Sequence, residues 1–295
     1  MKTIARMVLA MAVIWHHGVR ADAQNWPEGL SFVGLKKGVW QLYVVPKGAT
    51  QPQQVSTVSE PRTPVFHLAS GRVALIAADG RLHEQSISGQ NDKTVLAPDK
   101  KHAYTQPAYD PSGERLYVVE MKDGVSVDAD IVVLDKSRAK PVPVVTQRLA
   151  QFEPVAPTAQ DLYYGNAVCT LGCGEIIQEI WHMNVITGMA RQLTLVNSIA
   201  RQPSMSKDGQ WLYFSSNKAG NYHIWRLHLV SNQYEQLTNG RVTDISPALD
   251  AAGNVYFVRR SEQSVQLMRL DTKGALTVMP LPAGTEDLRD VEMGS

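Results

Sequence analysis

Residues 202–240 read QPSMSKDGQWLYFSSNKAGNYHIWRLHLVSNQYEQLTNG, and this stretch decides the fold. Pro203 opens a short first strand, Asp208-Gly209 makes a tight turn, and Leu212 to Phe214 form an apolar, aromatic second strand. Ile224 to Leu229 read as a third strand, and a Ser-Asn turn leads to a fourth at Tyr234 to Thr238. The same order returns along the chain. Gln106 begins QPAYDPSGERLYVVEMKDG, Glu153 begins EPVAPTAQDLYYGNAV, Ser246 begins SPALDAAGNVYFVRRSEQ, and Thr63 begins a weaker copy, TPVFHLASGRVALIAADG. The anchor prolines Pro64, Pro107, Pro154, Pro203 and Pro247 lie 43, 47, 49 and 44 residues apart. That period matches a β-propeller blade and is too long for ankyrin or leucine-rich repeats. No stretch after the first residues carries a sustained helical period with caps, so the fold class is all-β.

The ends of the chain set the blade count. Leu30 to Val33 reads as a second strand, Trp40 to Val45 as a third and Gln53 to Val55 as a fourth, so the first unit lacks its inner strand. Asp290 to Met293 follow the last outer strand and have no blade of their own. A six-bladed β-propeller is therefore expected, its ring closed by N- and C-terminal strands in one blade, which removes open sheet edges.

Composition narrows the function classes. Among 295 residues, 29 Lys+Arg face 28 Asp+Glu, a formal charge of +1, so bulk electrostatics give no footprint for nucleic acid. Two cysteines exclude a four-cysteine zinc site. Lys2 and Arg6, then the nine apolar residues Met7 to Trp15, then Ala21-Asp22-Ala23, have the order of a cleavable signal peptide over 1–23. Nine residues rise about 14 Å as a helix, too short for a bilayer span. Residues 24–295 are thus expected to be the propeller, exported to the periplasm or secreted, without a transmembrane segment and monomeric.

The repeat in residues 202–240 resembles the TolB-type propeller repeat, roughly P-x-x-S-P-D-G-x-x-I-x-F-x-S-x-x-x-G and then L-T. Lys207 stands where that family usually has Pro, and the copies at Gln160-Asp161 and Ala252-Gly253 have lost the central Asp-Gly. The resemblance covers residues 30–295. It implies a stand-alone propeller without the N-terminal α/β domain of TolB, and a protein or peptide of the cell envelope as partner.

Chemistry is sparse in the motifs. No G-x-S-x-G occurs, and the histidines form no H-E-x-x-H. His67, expected on an inner strand, and His102, just before one, are weak candidates for a channel metal, but they fall short of three ligands. No cofactor is expected. Cys169 and Cys173 are expected to form a small-loop disulfide in an oxidising compartment. The inter-blade loops vary and collect Arg62, His102, Tyr104, Arg148, Glu153, Arg201, Gln202, Arg241, Asp244 and Arg289, with an arginine in five of six. Guanidinium forks suit carboxylates on a peptide or an acidic sugar. The sequence favours a non-enzymatic binding module of the envelope or periplasm. The alternative is a lyase-like enzyme acting on an acidic saccharide through the channel.

Overall fold

The computed structural model describes residues 26–295 except 58, 124–126, 136–139 and 170–173. Six four-stranded antiparallel sheets are arranged as the blades of a propeller, and no helix occurs among the described residues. The inner strands are Arg62–His67, His102–Tyr109, Gln151–Val155, Ala200–Met205 and Thr243–Leu249, each carrying one anchor proline. The sixth inner strand is Asp287–Met293. It pairs with Leu30–Lys36, the second strand of the first blade, with Leu30 opposite Met293 and Leu35 opposite Asp287. Ring closure through the C-terminal strand is thus observed, and the strand is longer than the sequence indicated.

The seam is packed as a core. Trp26, Phe32 and Tyr43 stack at 5.6 and 5.2 Å between ring centres. They lie in one cluster with Leu288 and Val291 from the closing strand and Tyr256, Val258 and Leu267 from the neighbouring blade. The other apolar clusters also span blade junctions, because each sheet is covered on both faces by its neighbours. Trp181, Trp211 and Trp225 pack against these clusters.

Outer strands are shorter than the sequence implied. They end at Gln192 and Gln236, before the Leu-Thr pairs at 193–194 and 237–238. There the threonine hydroxyls reach back and accept the Ile180 and Ile224 amides at 2.8 and 2.9 Å. The side chain replaces a strand partner, so the repeated threonine is a terminator. At the first turn of the fifth blade Gly209 holds φ 70° and its amide donates to the Ser206 carbonyl at 2.9 Å. This left-handed position is one that glycine adopts without steric cost.

The leader over residues 1–23 lies outside the described residues. So does the expected Cys169–Cys173 bridge, since Cys169 closes a strand and residues 170–173 follow it. Among the described residues no helix is long and apolar enough to cross a membrane.

Candidate functional site in the central channel

Each inner strand contains a β-bulge at the residue before its anchor position. The register against the second strand shifts there in all six blades. Thr63, Gln106, Glu153, Gln202, Ser246 and Asp290 occupy these places with φ between 41° and 58°. Five of them precede a proline, which ordinarily favours extended backbone. Left-handed backbone costs a residue with a Cβ about 1–2 kcal/mol, so something must hold it.

A ring of hydrogen bonds does. The Gln106 amide donates to Thr63 Oγ1 at 3.1 Å, the Glu153 amide to Gln106 Oε1 at 2.9 Å, and the Gln202 amide to Glu153 Oε2 at 2.7 Å. The Ser246 amide donates to Gln202 Oε1 at 2.9 Å, and the Thr63 amide to Asp290 Oδ2 at 3.2 Å. Five of the six junctions are joined this way, each amide freed by a bulge meeting the side-chain oxygen of the preceding blade. The junction between Gln202 and Ser246 is doubled, because Ser246 Oγ also accepts Gln202 Nε2 at 2.9 Å.

From this ring a funnel of about 500 Å³ extends along the second halves of the inner strands. Pro107, Pro154, Pro203 and Pro247, joined by Met205 and Leu249, form the apolar part of its wall. Its floor is acidic. Glu153 is held by Arg201 at 2.9 Å, and Asp290 lies 3.6 Å from Arg289. Glu292, two residues beyond Asp290 on the closing strand, lines the wall above them and, among the described residues, its carboxylate has no hydrogen-bond or ion-pair partner. The side chain meets the water of the funnel yet is surrounded by protein. That enclosure pushes its carboxyl up to about 8, with the charges of Asp290 and Glu153 adding to the rise. Burial also raises Asp290, against the pull of Arg289.

Of the ten loop residues singled out from the sequence, the funnel gathers Glu153, Arg201 and Gln202. Arg201 belongs to an inner strand and neutralises a channel carboxylate, so it is not a rim residue free for a partner. Arg289 lies 4.1 Å over the Trp40 ring and donates to the Pro61 carbonyl at 3.2 Å. Asp244 is buried and gripped by Arg259 at 2.7 and 2.9 Å. His102 contacts Asp99 at 3.1 Å, and Tyr104 is buried, its hydroxyl pushed up to about 12 by burial and by Glu120. Arg62, Arg148 and Arg241 are exposed. Glu292, Asp290, Gln106, Thr63 and Ser246 went unmarked as site residues. All but Glu292 shared a signal that was present: a side chain with an oxygen directly before each anchor position.

His67 is buried at the junction of the second and third blades. Its Nδ1 lies 2.7 Å from Ser70 Oγ and its Nε2 3.2 Å from the Pro111 carbonyl. The carbonyl can only accept, so Nε2 carries the proton and Ser70 donates to Nδ1. Arg72 also donates to Ser70 Oγ, and spends its other nitrogens on Glu84 and the Gly113 carbonyl. No donor is left to steady an oxyanion, and the contact staples a turn. Among the described residues no three His, Cys, Asp or Glu converge as metal ligands.

No protein-family model matches the chain. An uncharacterized protein of Agrobacterium fabrum is 28% identical over 227 residues, covering 72% of this chain and 74% of that one. TolB from Acinetobacter baumannii superposes with a TM-score of 0.71 at 16% identity, over 89% of this chain and 65% of that one. An oligogalacturonate lyase in complex with manganese superposes with a TM-score of 0.60 at 10% identity, over 84% and 73%. The chain thus spans a little under two thirds of the A. baumannii protein's length. At such identities the likeness is one of architecture: this chain has the six-bladed propeller fold of TolB.

Proposed function

We propose that this protein is a binding module of the periplasm or cell exterior that receives a segment of a protein partner in the funnel of its central channel. The funnel itself carries the reading. It is a formed cavity of about 500 Å³, within the ~300–1,000 Å³ typical of ligand sites, with apolar and polar lining in nearly equal parts. All six inner strands contribute to it, so its shape is fixed by the whole ring rather than by one loop. The likeness to TolB and the leader-like residues 1–23 support an envelope setting.

The lyase-like alternative finds less support in the electrostatics. The arginine in the funnel is spent on Glu153, which leaves no free cation among the described lining residues to hold an acidic saccharide. A photo-crosslinking residue placed at Ser204, on the funnel wall, should label a discrete segment of a partner in bacterial envelope extract. The same group at Glu235, on an outer strand, should not. Labelling that arises only from the Arg148 or Arg241 loops would move the site to the other end of the propeller. Turnover of oligogalacturonate by the purified protein would replace binding with catalysis.

A further inference from the structure

We infer that the funnel takes the partner segment end-on, with a lysine side chain leading, its ammonium against Glu292 and its methylene stem along the apolar side chains of the wall. This rests on the binding reading above and adds the chemistry of the occupant. Two features of the cavity carry it. The wall has an apolar, repeated part, offering Pro107, Pro154, Pro203 and Pro247 at equivalent heights with Met205 and Leu249 beyond them. The bulge ring lies before the prolines, and Glu292, placed on its strand as Ser204 is on its own, stands on the wall one residue beyond the proline level.

Among these groups the charges do not balance. Glu153 is answered by Arg201, and Asp290 in part by Arg289, while Glu292 is answered by nothing among the described residues. The remaining bulge residues, Thr63, Gln106, Gln202 and Ser246, are neutral. A carboxylate without a counter-charge sets up a field that is strongest in a cavity with low-dielectric walls. The occupant that relieves it must be a cation at its tip and apolar behind. Lysine has this form: a compact ammonium on a four-carbon stem. An acidic or wholly apolar segment would leave Glu292 unanswered. The raised proton affinity of Glu292 adds a signature, because a cation placed against it must pull that affinity down and expel a proton near neutral pH.

Isothermal calorimetry on the full chain tests this with the blocked pentapeptide acetyl-Ala-Leu-Lys-Leu-Ala-amide, against the same peptide with glutamine in place of lysine. The lysine peptide should bind about tenfold or more tightly, the worth of one charge-assisted contact. Glu292→Gln should abolish that preference, whereas Glu235→Gln should leave it intact. Measured at pH 7.5 in two buffers of different ionisation heat, the wild type should release a fraction of a proton on binding, and Glu292→Gln none. Ser204→Trp, which fills the funnel, should remove binding of both peptides. If both peptides bind equally and Ser204→Trp still removes them, the funnel stands as the site and the lysine inference fails. If binding persists in Ser204→Trp, the funnel reading fails with it. If neither peptide binds, the lysine inference is overturned.

Discussion

Glu292 is the residue where fold and chemistry conflict most. Its carboxyl is raised from 4.5 to about 8 by enclosure and by two neighbouring acids. Between those values the folded protein holds a proton that the unfolded chain has lost, so stability falls as pH rises through this window. Glu292→Gln should therefore flatten the decline in melting temperature between pH 5 and pH 8.5, and melt higher than the wild type at the upper end. Parallel melting profiles for the two proteins would contradict this. Asp290 is raised as well, so part of the slope should survive the substitution. Gln106 makes a separate case. Its Oε1 accepts the Glu153 amide, and Gln106→Ala leaves that amide without its acceptor. A loss of about 1–3 kcal/mol in urea unfolding is expected, and a change under ~0.3 kcal/mol would mean the link contributes nothing.

At the scale of strands, the closing segment has the largest leverage. Deleting residues 290–295 removes the Met293–Leu30 and Glu292–Ser31 pairings and takes Val291 out of the seam core. Several backbone hydrogen bonds at about 1 kcal/mol each are lost together with that packing. The truncated chain should melt far below the intact one or fail to accumulate folded, and equal melting would refute closure. The loop after Cys169 gives a smaller test. Thiol titration of denatured protein from the oxidising compartment should find Cys169 and Cys173 both oxidised, and two free thiols would remove the expected staple. Most strands were legible because turn glycines and the anchor prolines mark their limits, and the orphan segments at the two ends named the closing blade. The outer strands were overextended because Leu-Thr continues the β pattern, while only three dimensions show the hydroxyls of Thr194 and Thr238 ending it.

For the whole molecule, attention to variable loops pointed toward the arginine-bearing face, whereas the cavity lies along the far halves of the inner strands. Loop variation is visible in one sequence. Convergence is not, because Glu153, Asp290 and Glu292 meet only once six blades have been arranged about an axis. Arg201 shows the difference most plainly: it reads as one more loop cation, but the ring turns it onto a carboxylate 48 residues away. Ordinary spacing information could have gone further, since the oxygen-bearing residue before each anchor is as periodic as the proline itself.

The ring of bulge-to-bulge hydrogen bonds also has a temporal side. Four of its links join residues 43 to 49 positions apart, but the link from Asp290 to Thr63 spans 227. Closing the longer loop first would cost about 1.4 kcal/mol more in chain entropy than closing any one of the short ones. Assembly should therefore run blade by blade and join the seam last, so that in pulsed hydrogen exchange during refolding the Thr63 amide gains protection after those of Gln106, Glu153 and Gln202. A chain halted before that step would be an open crescent with two exposed strand edges, the form most prone to pair with its own copies.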